Sequence, residues 1–318
     1  MALNFPHPMP SGWFALAASA ELTAGKVRAG RYFDRDLVLW RGENGTPHVM
    51  DAHCPHLGAH LAHGGRVEGD TIRCPFHGWR FDGDGTCREI PYADRIPPTA
   101  RASAWPVVER NGAVWGWHDP EARTPFYEIP SVEEFDAANW EEVHRRSWTV
   151  RTQIQEMAEN GVDGAHFQSV HGAVALPDSE VQIDGASRVA IQRAPLVTSR
   201  GPTTSVITVR NVGLGFSFTR FTGICETTSL NFVVPIDAHT IEFTVVFLQP
   251  VGSPSAGVTR AIITDLEKQI GEDIPIWEHK TYRERPPLCD GDGPISEFRR
   301  WCLQFYAAGH AASNTPPT

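Results

Sequence analysis

Two short segments of this chain each pair a cysteine with a histidine: Cys54-Pro55-His56 and, after 17 further residues, Cys74-Pro75-Phe76-His77. Thiolate and imidazole are metal-ligand groups, and two loops that give one of each supply four bonds. Zinc accepts the same four donors, but the usual zinc finger puts both cysteines in one knuckle and both histidines in the other. The split found here suits a 2Fe-2S cluster in which one iron takes both thiolates and the other both imidazoles. Pro55, Gly58, Pro75 and Gly78 would bend the two loops around such a cluster and aim backbone N–H groups at its sulfurs. Zinc stays open as the alternative at this point.

A second constellation follows in residues 160–171, NGVDGAHFQSVH, where Asn160, Asp163, His166 and His171 fall close together at the end of an expected helix. Asp163 and His166 are three apart and would share a helix face. His171 lies five beyond His166, about 140° round an ideal helix, and joins them only if the helix ends or kinks. Gly172 makes such an end plausible. Two imidazoles and one carboxylate form the facial triad that holds non-haem Fe(II) with positions open for O₂. A later helix offers the carboxylate. Ile262, Leu266, Ile270, Ile274 and Trp277 form an apolar stripe in which Asp273 falls, while Asp265 and Glu272 lean to the polar side. A carboxylate in an apolar stripe is costly unless paired or metal-bound, so Asp273 is the expected third ligand. The alternatives are surface or core-edge histidines and an Asp273 that caps or pairs locally.

These residues need elements to position them. At 318 residues the chain is long enough for two domains, and the expected division is 1–120 and 121–318. In the first part, runs such as Leu37–Trp40, Thr71–Arg73 and Ala113–Trp117 alternate with turn signals, which reads as a small β barrel carrying the metal loops at hairpin tips. Residues 119–130 read as a linker. Beyond it, 148–167 and 260–282 read as helices, with strands at 204–211, 216–222, 228–235 and 240–249. Helices at either end of an antiparallel run describe an α+β domain, helix-grip-like, with a sheet able to hold an apolar ligand. Phe216, Phe218, Phe221, Phe232, Val233, Phe243 and Phe247 are candidates for its lining or for plain core. The net charge of −10 disfavours nucleic acid as a partner. No apolar run is long enough for a membrane span, and MALNFPHPMP lacks the pattern of a signal peptide, so a cytoplasmic protein is expected. Cys87, Cys225, Cys289 and Cys302 read mostly as buried thiols.

With these motifs in place, the chain resembles the oxygenase components of Rieske non-haem iron oxygenases over almost its whole length. CPHLGAHLAHGGRVEGDTIRCPFHGWRFDGDGTCREIP is similar to the family's cluster-binding segment and NGVDGAHFQSVH to its iron-binding helix. Within the family, EDIPIWEHK and PPLCDGDGPISEFRRWCLQFY resemble the C-terminal part of 3-ketosteroid 9α-hydroxylase oxygenases and cholesterol-desaturase-type enzymes. The resemblance implies Cys54, His56, Cys74 and His77 as ligands of a Rieske 2Fe-2S cluster. It implies His166, His171 and Asp273 as ligands of a mononuclear Fe(II). Asp163 becomes the acidic bridge between a cluster histidine of one subunit and an iron histidine of the next, within a homotrimer. The expected activity is O₂-dependent monooxygenation of a bulky or polycyclic hydrophobic small molecule. Demethylation and desaturation are its enzymatic alternatives.

The chain has no GxGxxG dinucleotide signature and no plant-type ferredoxin cysteine set, so electrons must come from a reductase, with or without a separate ferredoxin. Arg66, Arg73, Arg80 and Arg88 lie near the cluster loops and read either as a docking face for an acidic donor or as a solvated, ion-paired surface. A Rieske electron carrier would need only the first four ligands. A zinc-stabilised binding protein would need no redox centre at all.

Overall fold

A computed structural model describes residues 5–172, 179–198, 201–289 and 291–307. The chain divides into two compact units, Trp13–His118 with Thr124–Phe126, and Met1–Gly12, Asp119–Arg123 and Tyr127–Thr318. This differs from a single cut at 120, because the segment before Trp13 groups with the larger unit. Phe5 packs edge-on against Tyr282 at 4.9 Å, His7 stacks on Tyr306 at 4.6 Å, and the Ser11 N–H donates to the Phe305 carbonyl at 2.6 Å.

The smaller unit is all β, in three antiparallel sheets. One holds β1 (Gly12–Ala18) with β9 (Val107–Arg110) and β10 (Ala113–His118). Another holds β2 (Val27–Tyr32), β3 (Arg35–Arg41) and β4 (Pro47–Asp51). The third holds β5 (Arg66–Glu68), β6 (Thr71–Arg73), β7 (Arg80–Asp82) and β8 (Cys87–Glu89). The second cysteine loop is the tip of the β6–β7 hairpin, whose register pairs Arg73 with Arg80. The first is no ordinary hairpin tip, since β4 and β5 lie in different sheets. A single antiparallel bridge, His53 to His60, closes its neck, with the Leu61 N–H donating to the Ala52 carbonyl at 2.7 Å. Beneath both loops, Trp40, Met50, Leu61, Ile72 and Phe81 are fully buried and fix where the loops emerge.

The larger unit is α+β. Its seven-stranded antiparallel sheet runs in the order β11 (Trp140–Val150), β17 (Thr240–Pro250), β16 (Thr227–Asp237), β15 (Phe216–Thr222), β14 (Gly201–Val212), β13 (Ser187–Thr198), β12 (Ser179–Asp184). Strands β14 to β17 lie where the Thr/Val/Phe pattern puts them. The edge strands β11 and β12, and β13 beside β12, give no such pattern in the sequence. β11 is mostly exposed and carries charges along its length, Glu141, Glu142, Arg145 and Arg146, so it lacks the alternation that signals a strand. The helices are α1 (Glu133–Asp136), α2 (Ile154–Glu159), α3 (Gly164–Ser169), α4 (Ala256–His279) and α5 (Ile295–Cys302). The expected single helix over 148–167 is therefore two short ones, preceded by the end of β11. Asp163 starts a new helix by accepting from the Ala165 and His166 N–H groups, which separates α3 from α2. Helix α4 continues through Pro275. It lies along β11 by a bond of 2.8 Å between His144 and Glu267 and an ion pair of 2.9 Å between Arg146 and Glu267.

In the smaller unit the Arg41 guanidinium ties β3 to β9 through two bonds to Glu109, at 2.8 and 2.6 Å, and also donates to the Leu22 and Gly45 carbonyls. The hydrogen bond from Arg41 holds the Glu109 carboxyl below the ordinary carboxylate range, against the opposing effect of burial. A depressed folded-state pKa contributes stability above the unfolded value, about 4.3 for Glu, and that stability disappears as the pH falls through the folded value. Glu109→Gln is expected to cost about 1–2 kcal/mol at neutral pH, discounted for the partial exposure of the pair. In thermal melts its deficit against wild type should close as the pH drops below about 4. A deficit that does not change with pH would count against the charge as the source.

Candidate metal centres

The two cysteine loops are built on one backbone plan. In each, the residue four after the cysteine is a glycine in the left-handed region, Gly58 at φ 75° and Gly78 at φ 74°, where a side chain would be strained. Each glycine N–H donates back to its cysteine carbonyl, at 2.9 Å for Gly58 and 3.2 Å for Gly78. Each cysteine N–H in turn donates to the residue after the glycine, Ala59 or Trp79, at 2.9 and 2.8 Å. The histidine sits two residues after Cys54 but three after Cys74. Both thiols are buried, and they are close enough for Cys74 to hydrogen-bond Cys54. The His56 and His77 rings meet at 4.7 Å between centroids. His56 lies flat on Trp79 at 4.4 Å, the Trp79 N–H donates to the Tyr92 hydroxyl at 2.8 Å, and Phe76 packs on His77 at 3.8 Å.

A pair of thiols and a pair of imidazoles, each gathered separately, fit a cluster with both thiolates on one iron and both imidazoles on the other. Burial is the chief force pushing the Cys54 thiol up, to about 12. A metal ion reverses that preference by displacing the proton. Arg66, Arg73 and Arg80 all converge on Glu68, at 2.8, 3.2 and 3.8 Å, while Arg80 also meets Glu89 and Arg88 meets Asp82. These arginines form an ion-paired surface.

In the larger unit, one ring nitrogen from each of His166 and His171 and one oxygen of Asp273 lie within 4.8 Å of one another. One ion with bonds of about 2.1 Å holds its ligands about 3–4 Å apart, so the set needs only a small contraction. His171 reaches the others because α3 stops at Ser169, and Gly172, at φ 70°, turns the chain away. Asp273 is 6% exposed, on the same helix face as the buried Ile270 and Trp277. Burial raises its carboxyl above the ordinary range, opposed by His171 and His166. Its Oδ1 lies 3.3 Å from His171 Nε2, and its Oδ2 accepts from the Asn160 amide at 2.9 Å. The same amide nitrogen lies 3.0 Å from His166 Nε2. Lone pairs of a carboxylate and an imidazole thus point at one donor, as they would at one cation.

The outer ring nitrogens are engaged as well. His166 Nδ1 meets the Asp163 main-chain carbonyl at 2.5 Å, and His171 Nδ1 meets Glu272 Oε2 at 2.9 Å. With Nδ1–H donating in both rings, both Nε2 atoms are left as acceptors, the form a metal needs. Among the described residues, the Asp163 side chain makes no hydrogen bond to the His166 ring. Its Oδ1 caps α3 instead, and the orienting contact comes from its backbone. The sequence places Asn160 in the motif without a role and puts Glu272 on the polar face, whereas Asn160 meets His166 and Asp273 and Glu272 meets His171. The only sequence signal for Glu272 was its place beside Asp273.

The triad stands in the wall of a cavity of about 230 Å³. Another wall is the sheet face carrying Val209, Val233 and Phe243, and α4 adds Leu266 and Ile270. Phe218, Phe221, Phe232 and Phe247 do not line it, and buried Phe218, Phe232 and Phe247 are core. Asn211, Ser217 and Asn231 are cross-strand neighbours on β14, β15 and β16 and form a polar row in this apolar wall. Removing one triad ligand separates the two centres. Asp273→Ala is expected to lower iron from about three to about two per chain with sulfide unchanged at about two. Equal iron in variant and wild type would remove Asp273 from the ligand set.

Residues 12–101 match the Rieske [2Fe-2S] domain, and residues 116–306 match the 3-ketosteroid 9alpha-hydroxylase C-terminal domain. The chain is 31% identical to a 3-ketosteroid-9-alpha-monooxygenase oxygenase component of Rhodococcus rhodochrous, covering 93% of this chain and 82% of the relative. It is 31% identical to cholesterol 7-desaturase of Hemicentrotus pulcherrimus, covering 96% and 71%. Its fold is similar to that of dicamba monooxygenase bound to dicamba, with a TM-score of 0.74 at 20% identity over 95% of this chain and 97% of that one. Pseudomonas putida NdmA with caffeine gives 0.74 at 20% identity over 92% and 89%. The paired cysteine–histidine loops, the His–His–Asp set and these matches lead to one assignment: the chain belongs to the Rieske oxygenases that carry a 3-ketosteroid 9α-hydroxylase C-terminal domain.

Proposed function

We propose that this chain is an oxygenase component that uses O₂ and electrons from a separate reductase, with or without a ferredoxin, to hydroxylate an uncharged, bulky hydrophobic molecule of the steroid kind. The observation that carries the reading is the cavity beside His166, His171 and Asp273: among its described lining residues there is no lysine or arginine to hold an anionic substrate. Desaturation is the second reading, because cholesterol 7-desaturases are as similar to this chain as the monooxygenase is.

In this reading the cluster, when bound, supplies one-electron transfer, and Fe(II) at the triad supplies O₂ chemistry at open coordination positions. The protein's own work is placement. Val209, Val233 and Phe243 exclude water and turn a C–H bond of the substrate toward the triad. In the polar row Asn231 already donates to Ser217 at 3.2 Å, and the Asn211 amide has no hydrogen bond among the described residues, leaving it to meet a substrate carbonyl or hydroxyl. Asp163 would join the two kinds of centre between neighbouring subunits of a cytoplasmic homotrimer. In support, its capping bonds use only Oδ1, and Oδ2 makes no hydrogen bond among the described residues.

The test is turnover of a panel of 3-ketosteroids, sterols and carboxylated analogues by the holoenzyme with a surrogate reductase, read by product mass. Gain of one oxygen supports hydroxylation, and loss of two hydrogens supports the second reading. Turnover confined to the carboxylated compounds would overturn both. Asp163→Ala is expected to abolish substrate-dependent O₂ consumption while the cluster spectrum and iron content stay as in wild type. Undiminished consumption would sink the coupling role.

A further inference from the structure

The two histidines of the triad are held from behind by unlike partners. His166 Nδ1 meets a neutral main-chain carbonyl, that of Asp163, whereas His171 Nδ1 meets the Glu272 carboxylate at 2.9 Å. Glu272 and Asp273 are consecutive residues of α4, so His171 is clamped between two carboxylates from one turn of helix. Nδ1 faces Glu272, and Nε2 faces Asp273 at 3.3 Å. The His171 side chain is only 3% exposed. Lys268, one helical turn back, holds the second Glu272 oxygen at 3.2 Å and so limits the rotamers the carboxylate can take.

His171 needs this clamp more than His166 does. His166 lies within α3, where the helix backbone fixes its Cα. His171 lies beyond the last residue of α3, next to a glycine in the left-handed region, so its backbone holds it less tightly. We propose that Glu272 is the positioning residue for His171, fixing the ring's tautomer and direction and so setting the affinity of the triad for Fe(II). A carboxylate behind a ligating imidazole also makes the ring a stronger donor, and loss of such a partner typically weakens metal binding by about 10–100-fold. Helix α4 then supplies one ligand directly and aims another.

The inference rests on the triad being an iron site, and the test separates the two. Protein with its cluster intact and its mononuclear site emptied by chelation would be titrated anaerobically with Fe(II) against a colorimetric chelator. Glu272→Ala is expected to raise the Fe(II) dissociation constant by about 10–100-fold. Glu272→Gln keeps an oxygen that accepts from Nδ1–H and is expected to recover most of the loss. That rescue would not follow if Glu272 only stabilised the helix. Glu267→Gln, which weakens the α4 contacts to His144 and Arg146 of β11 without touching His171, should lower the melting temperature and leave Fe(II) affinity unchanged. Wild-type affinity in both Glu272 variants overturns the positioning role alone. A wild-type protein that binds Fe(II) no better than Asp273→Ala overturns the role and the iron site together. If Glu272→Ala fails to fold, Glu272→Asp decides: its shorter side chain draws the oxygen away from Nδ1, so markedly weaker Fe(II) binding than in Glu272→Gln supports the role and equal binding overturns it.

Discussion

A carboxylate buried on the apolar face of a helix is the constraint from which the catalytic unit is organised. Desolvating Asp273 beside Ile270 and Trp277 costs several kcal/mol unless positive charge or strong donors face it. Asn160 supplies a donor, and two imidazoles supply ring nitrogens, but a neutral imidazole Nε2 is itself an acceptor. Three acceptors converging on one point repel each other until a cation stands among them. That requirement explains the broken helices nearby. One straight helix would hold His166 and His171 about 140° apart, so the chain ends α3 between them. It also restarts the helix at Asp163, so that Asn160 at the end of α2 and His166 in α3 lie on separate helices and meet, with Asp273, at one point.

The smaller unit solves a different problem, that of holding two metal ions with four side chains. It uses one loop plan twice and shifts the histidine by one residue between the copies. The glycine and cysteine hydrogen bonds are the same in both loops and the two thiols stay together, while the shifted histidines pack on different partners, His56 on Trp79 and His77 on Phe76. Burial raises the Cys54 thiol still further above an ordinary thiol, so only a metal ion would draw off its proton near neutral pH. Cluster insertion would therefore expel protons from Cys54 and Cys74, whose side chains sit against the core of Trp40, Leu61 and Ile72.

What the sequence disclosed follows from which forces are local. The paired cysteine–histidine loops were legible because metal-ligand types at short spacing are rare and carry their own turn residues. The end of α3 before His171 was legible from Gly172, and Asp273 from its place in an apolar stripe. The strands β14 to β17 showed themselves by their Thr, Val and Phe content, whereas charged β11 is recruited by pairing with β17 and gave no such signal. The division of 148–167 into two helices depended on the Asp163 cap, a side-chain contact that propensity does not report. The roles of Asn160 and Glu272 were hidden for a stronger reason. Each touches a residue from a distant part of the chain, Asn160 to Asp273 and Glu272 to His171, and no local pattern encodes a contact made across about a hundred residues.

The same long-range logic fixes the short helix α2. Six residues cannot form a stable helix alone, and this one also buries two carboxylates, Glu156 and Glu159. Each is met by a cation from another element. Lys280, which follows α4, lies 3.0 Å from Glu156, and Arg299 of α5 grips Glu159 with two bonds at 2.6 and 2.7 Å. Buried ion pairs are poor sources of stability compared with apolar packing, but they are strict about geometry, since an unpaired buried charge costs about 3–5 kcal/mol. Rotating α2 by one residue would strand both carboxylates. The two pairs therefore select a single rotation of α2 about its axis, and that rotation delivers the next residue, Asn160, to His166 and Asp273. Charges turned away from the cavity set the angle at which the metal site is approached.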